Sequence, residues 1–148
     1  QDHTETETRR RFIQTLRARG ETGQVFGLAL RGLRAYVLLA LRPNHCLPTG
    51  ASARDRLDVS ILQSQVFSKL LASKSDEDAI LYTKDDDEAL DLVRRGAAEA
   101  ALLLNPPKVG EVRAVAASGE RMPHKSTYFY PKPLTGLVMN IFEEGERL

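Results

Sequence analysis

Two apolar runs separated by a glycine turn most constrain how this chain can fold. Residues 24–30 and 33–41 are both compatible with β-strands, and Arg31-Gly32 lies between them. Because glycine adopts a positive φ in a tight turn without steric cost, this spacing predicts a β-hairpin. The second run is almost continuously apolar from residue 35 to residue 41, which predicts an interior strand buried on both faces.

Helical spacing of apolar residues is visible in four other segments. Asp58 stands just ahead of one of them and is expected to act as its N-cap. An acidic run at 85–88 suits the positive N-terminal end of another helix dipole. The predicted helices are 8–20, 58–71, 85–95 and 109–116, and the further predicted strands are 79–83, 100–104, 125–130 and 137–142.

These elements predict an α+β fold. We expect a mixed sheet with the hairpin, helices packed on the sheet, and at least one parallel βαβ crossover. A length of 148 residues fits a single domain, 1–148, with one core. Residues 42–56 contain two prolines and Gly50 and are expected to form a flexible connection.

Composition excludes some classes of protein. The chain has 21 Lys+Arg against 20 Asp+Glu, so its formal net charge of +1 creates no broad field for nucleic acid or membranes. Nucleic acid is therefore the least favoured partner, and no membrane partner is expected. Cys46 is the one cysteine and cannot form an internal disulfide. With no signal-like or membrane-spanning apolar run, we expect a cytoplasmic protein.

Residues 119–138 form the most unusual segment of the chain. They combine lysines, hydroxyl side chains, aromatic residues and prolines in one short run. Ammonium groups, hydroxyls and a glycine N–H could together surround a phosphate or carboxylate, although the spacing is not that of a Walker loop. The candidate ligand-binding residues are Lys125, Ser126, Thr127, Lys132, Thr135 and Gly136. Alternatively, residues 125–130 form an ordinary strand whose side chains alternate between two faces.

The same segment resembles a motif of a known family, the domain of unknown function 1015 family. The matching residues are Met122-Pro123, Lys125-Ser126-Thr127-Tyr128-Phe129-Tyr130-Pro131-Lys132 and Thr135-Gly136-Leu137. Leu57-Asp58-Val59 and Asn105-Pro106 also resemble family motifs. The resemblance identifies relatives without supplying an activity. It implies that the chain is the C-terminal fragment of a longer protein, since the family's Asp-Gly-His-His-Arg type motif has no match here.

Asp58 and Asn105 complete the candidate ligand-binding set. Asp58 is either a helix cap or a carboxylate that faces the same cleft to hold a metal or a substrate amine. Asn105 follows a predicted buried strand, where α/β sheets often form ligand crevices, but Asn before Pro is also a strong turn signal. Surface or structural roles are favoured for the other reactive side chains, namely His124, Cys46 and the acidic run at 85–88.

The sequence supports two main hypotheses about function. The first is a phosphate- or nucleotide-binding part of a small-molecule enzyme, resembling a phosphotransferase, with catalytic residues unknown and ATP and Mg²⁺ as the implied cofactors. The missing N-terminal region of the parent chain would then complete the site. The alternative is a non-catalytic module that binds a metabolite or another protein. No metal-ligand motif is evident, and homodimerisation is left open.

Overall fold

The computed structural model describes residues 3–42, 50–68 and 80–128. Three strands and four helices lie in this part of the chain. In chain order they are α1 (His3–Gly20), β1 (Val25–Leu30), β2 (Val37–Ala40), α2 (Asp58–Ile61, continued by a π-helical turn at Leu62–Phe67), α3 (Asp86–Arg94), β3 (Ala100–Leu103) and α4 (Val109–Ala117).

The predicted α+β fold and β-hairpin are confirmed. The strand order is β2-β1-β3, and β1 is antiparallel to both neighbours. In the hairpin, Leu28 faces Val37, and Gly32 has the positive φ that its turn requires. The expected parallel pairing is not found among the described strands. β2 and β3 do run parallel to each other, but β1 lies between them.

The central strand is β1, and not β2 as its apolar run had predicted. Val25, Phe26 and Ala29 of β1 are buried, whereas three residues of β2 are half-buried and Ala40 is exposed. Within the described residues β2 pairs with β1 alone. A continuous apolar run indicated burial but not the position of a strand in the sheet.

Helices α1 and α3 cover one face of the sheet. Phe12 and Leu16, one helical turn apart on α1, are buried with Val25 and Ala29 of β1. Leu90 and Val93 of α3 join the same core. β1 has Gly27 at this contact. A larger residue would clash there, because a Cβ at this position would lie 2.7 Å from the Phe12 ring.

The opposite face is covered by α2 and its π-helical continuation. Ile61 and Leu62 are buried against Phe26, whose side chain points away from the α1 face. Half-buried Leu39 and Leu102 from the flanking strands extend this second core. The sheet is therefore a middle layer between helices, which explains why its strands are apolar on both faces.

Arginines of α1 bind carboxylates of α3. Arg9 contacts Asp91 at 2.8 Å and Asp87 at 3.2 Å, and its side chain is only 14% exposed. Arg17 pairs with Asp86. The N-cap of α3 is Asp85, whose carboxylate accepts hydrogen bonds from the backbone N–H groups of residues 87 and 88. The acidic run thus has a structural role.

Two predicted strands have a different structure in their described residues. Residues 80–83 form no strand. Residues 125–128 also form none, because the first two of them belong to a turn: Ser126 N–H donates to the Pro123 carbonyl, and Lys125 has a φ of 53°. The face alternation expected for a strand therefore does not apply to residues 125–128. The strand predicted at 137–142 and residues 43–49 of the 42–56 connection lie outside the described residues.

We predict that Gly20→Ala destabilises the protein. A Cβ at this position would lie 2.2 Å from Asn105 Nδ2, and Asn105 is hydrogen-bonded in place. Alanine normally favours a helix over glycine by about 1 kcal/mol, but overpacking should reverse the sign. We expect the free energy of unfolding in urea to fall by about 1–2 kcal/mol.

Gly23→Ala is the matched control, because no atom lies within 4 Å of the position that its methyl group would occupy. Combining Gly20→Ala with Asn105→Ala should show favourable coupling, since the second change removes the obstructing amide. Equal stability of the two alanine variants would contradict the close contact between Gly20 and Asn105.

Candidate functional site

A cleft lies where the end of α1, the start of α2, the end of β3 and the start of α4 meet. It consists of two adjoining hollows of about 80 and 250 Å³ that share Asp58, Asn105 and Glu111. The smaller hollow is also lined by Met122 and Ser126, and the larger one by residues 20–24 and Lys108. The structure therefore brings together three predicted site residues: Asp58, Asn105 and Ser126.

Asp58 is not the N-cap that its sequence position had predicted. The cap position is taken by Leu57, and Asp58 is the first residue of α2. Leu57 is buried, only 2% exposed, so core packing fixes where this helix begins. Within the described residues, no donor forms a hydrogen bond with the Asp58 carboxylate. Capping therefore does not explain this side chain.

The cleft raises the pKa of Asp58 to about 6. Burial is the main cause, because partial removal from water disfavours the charged form. The negative charge of Glu111 acts in the same direction, and the positive charge of Lys108 opposes it. Asp58 is thus a carboxyl group that gains and loses its proton close to neutral pH.

Glu111 and Lys108 are each fixed by hydrogen bonds to backbone groups. Glu111 binds at the start of α4, and the Lys108 side chain binds at the end of α1. Glu111 Oε2 accepts a hydrogen bond of 2.7 Å from the Lys108 backbone N–H. The Lys108 ammonium donates to the carbonyls of Gly20 and Glu21, at 3.4 and 3.2 Å. A cation at the C-terminal end of α1 also complements the helix dipole. Lys108 therefore stabilises the end of α1 and also contributes positive charge to the cleft.

Asn105 connects three elements through its side chain. Its Nδ2 donates to the carbonyl of Leu16 on α1 at 3.4 Å and to that of Val25 on β1 at 3.2 Å. Arg17 donates to its Oδ1 at 3.5 Å and to the Leu104 carbonyl at 2.8 Å. Asn105 lies at the cleft, as predicted, but these contacts make it chiefly a structural residue.

The predicted anion-binding residues do not all lie at the cleft. Ser126 lines the cleft and donates to the Pro123 carbonyl at 2.7 Å. Lys125 instead places its ammonium 4.7 Å from the centre of the Tyr82 ring. Thr127 is half-buried and does not line either hollow. The remaining predicted residues, Lys132, Thr135 and Gly136, lie outside the described residues.

Sequence reasoning missed Glu111 and Lys108 as cleft residues. A signal was present, because a glutamate three residues into a helix commonly reaches back to the backbone N–H at the cap. That pattern agrees with the predicted start of this helix at residue 109. It could not have shown that Asp58, far away in the chain, would lie beside Glu111.

Comparison of the chain with protein-family models, curated proteins and solved structures gave no match. The resemblance to the domain of unknown function 1015 family stays a prediction. Over residues 3–42, 50–68 and 80–128, there is no group of three His, Cys, Asp or Glu side chains that could hold a metal ion. In the same residues, no helix is long and apolar enough to cross a membrane.

The geometry defines what the cleft can do chemically. Two carboxyl groups face a space that can hold a few non-hydrogen atoms, and one of them titrates near pH 6. Ionised Asp58 can accept hydrogen bonds from an ammonium or hydroxyl group. It can also act as a general base that accepts a proton from such a group while that group reacts.

We predict that Asp58→Asn stabilises the protein at pH 7.5. A folded pKa of about 6 exceeds the ordinary value of 3.8, so stability is lost as the pH rises between these values. The shift corresponds to about 3 kcal/mol, and solvent screening of this half-buried group reduces the expected gain to about 1–2 kcal/mol. Urea unfolding at pH 7.5 and pH 4 measures it, and the gain should disappear at pH 4.

Glu21→Gln is the control, since Glu21 is an exposed carboxylate at the rim of the same cleft. It should change stability by less than about 0.5 kcal/mol at either pH. A gain for Asp58→Asn that persists at pH 4 would mean that shape, and not charge, causes the effect.

Proposed function

We propose that this chain binds a small molecule in the Asp58 cleft and that the ligand presents an amino or hydroxyl group to the carboxylate. The observation that carries the proposal is the state of Asp58: half-buried, with a pKa of about 6 and without a hydrogen-bond donor among the described residues. A carboxylate in this state is costly without a ligand. A bound amine or hydroxyl would offset that cost.

The charges around the cleft favour a cationic or neutral group over an anion at this position. Asp58 and Glu111 both face it, and their mutual repulsion contributes to the raised pKa of Asp58. The positively charged Lys108 ammonium is engaged with two backbone carbonyls. An anion placed beside Asp58 would therefore meet two carboxylates and one partly occupied ammonium.

The volume of the cleft favours a small metabolite. Its two hollows, about 80 and 250 Å³, lie at or below the low end of the size range of drug-sized ligand pockets. A nucleotide would have to extend beyond them. A nucleotide could extend toward the predicted phosphate-binding residues, because Ser126 lines the cleft and Lys125 is the residue before Ser126 in the chain.

The phosphotransferase-like activity remains part of the proposal on this basis. Asp58 would accept the proton of the substrate hydroxyl or amine, a role for which a pKa near 6 is suitable. The phosphate group would be bound on the side of Lys125. In the alternative, a non-catalytic module, the same cleft binds the metabolite and no reaction follows. Turnover of ATP with Mg²⁺ in the presence of a cleft ligand would separate these two functions.

We predict that the full chain binds small primary amines or amino alcohols in a way that depends on Asp58. Because an ammonium pairs with the ionised carboxylate, affinity should rise as the pH increases from 5 to 7 through the pKa of about 6. Asp58→Asn should weaken binding at pH 7.5 by about tenfold, the loss of one charge-assisted hydrogen bond. Calorimetric titration with ethanolamine, small amino acids, inorganic phosphate and ATP with Mg²⁺ measures these affinities.

Glu99→Gln serves as the control and should retain wild-type affinity, because Glu99 is an exposed carboxylate that lines neither hollow. If every amine and amino alcohol bound with equal strength to wild type and Asp58→Asn, the cleft would not be the binding site. If phosphate or ATP bound but no amine did, the function would lie with the Lys125 segment alone.

A further inference from the structure

Two lysines and two tyrosines form a reciprocal arrangement beside the cleft. The Lys125 ammonium lies 4.7 Å from the centre of the Tyr82 ring, and the Lys84 ammonium lies 4.5 Å from the centre of the Tyr128 ring. Lys84 also donates to the Tyr128 hydroxyl at 3.1 Å. Each of the two chain segments thus contributes one lysine and one tyrosine. We refer to these four residues as the lysine–tyrosine cluster.

The cluster is exposed yet ordered by its own contacts. Tyr82 is 59% and Tyr128 54% exposed, and both lysines are exposed. An unpaired surface lysine normally samples many rotamers, and ordering it costs up to about 2 kcal/mol of conformational entropy. Cation–π contacts restrict both side chains before any ligand arrives. Each contact therefore favours a defined position for one ammonium group.

No ion pair among the described residues involves Lys84 or Lys125; the pairs found there all use arginine. The nearest acidic residues along the chain have other partners. Asp85 caps α3, and Glu88 accepts a hydrogen bond from Thr83. Neither ammonium therefore has an ion-pair partner among the described residues, and each can contact an anionic ligand.

Lys125 is also held in an uncommon backbone conformation. Its φ of 53° is the only positive value among the described non-glycine residues. The neighbouring Ser126 fixes the turn by donating both its N–H and its hydroxyl to the Pro123 carbonyl. Left-handed backbone at a lysine is unfavourable and is characteristic of functional positions when the surroundings impose it. Here the turn presents the ammonium over Tyr82.

We propose that the lysine–tyrosine cluster binds the phosphate group of the ligand. A phosphate dianion can pair with ammonium groups, and the Tyr82 hydroxyl can donate a further hydrogen bond. Lys84 and the two tyrosines are new to the site, since the sequence pointed to Lys125 and to residues further along the chain. Ser126 follows Lys125 and lines the cleft, so the proposal includes a ligand that presents its amine to Asp58 and its phosphate to the cluster. This step rests on the proposed function of the cleft.

The test compares three probes on the full chain by calorimetry: inorganic phosphate, ethanolamine and phosphoethanolamine, which carries both groups. Lys84→Met and Lys125→Met remove charge and retain side-chain length. Each should weaken inorganic phosphate and phosphoethanolamine by about tenfold and leave ethanolamine unchanged. Asp58→Asn should weaken the two amines but not inorganic phosphate.

Arg121→Ala is the matched control, because it removes one positive charge from the same segment at an exposed residue. It should change phosphate affinity by less than about twofold. Equal losses of affinity in all three charge variants would mean that phosphate responds to the overall positive charge of the surface and not to the cluster. A second measurement needs no variant: phosphate should protect Lys84 and Lys125, but not Lys108, from acetylation measured by mass spectrometry. Failure of phosphate to bind or protect would overturn the cluster assignment, while Asp58-dependent binding of ethanolamine would leave the cleft in place.

Discussion

The architecture depends on the side-chain amide of Asn105. It joins the last turns of α1, the first residue of β1 and the segment after β3. Such a connection requires α1 to end close against the amide, and Gly20 permits this because a Cβ there would overlap Asn105. The same junction forms the floor of the cleft between these elements. Packing of the scaffold and the shape of the site therefore have one common cause.

Much of the fold could be predicted from short-range patterns. The hairpin, the positive φ of Gly32 and the helices at α1, α3 and α4 follow from apolar spacing and turn chemistry. The strand order could not be predicted in this way. Apolar residues in β2 indicated burial, but pairing of β1 with β3, some 70 residues away, is what made β1 the central strand. Long-range pairing leaves no local signal in a single sequence.

Only part of the lining of the candidate site could be predicted from the sequence. Asp58, Asn105 and Ser126 do lie on one cleft, although the reasons for selecting them differed. The expected anion site required Lys125 and its neighbours to face one ligand, which the alternative, an ordinary strand, would not allow. A turn at Pro123–Ser126 instead directs the ammonium onto Tyr82. Glu111 and Lys84 were missed because each reaches the site through tertiary packing.

The polar groups of the cleft differ in how well the protein itself satisfies them. Asn105, Lys108, Glu111 and Ser126 all have hydrogen-bond partners within the described scaffold, and these contacts stabilise its folded state. Asp58 has none there, although burial and the charge of Glu111 make its ionised form costly. A residue with only a structural role would be better replaced by a neutral side chain. The presence of a carboxyl group at this position therefore favours a role that requires its charge, which is recognition of a ligand.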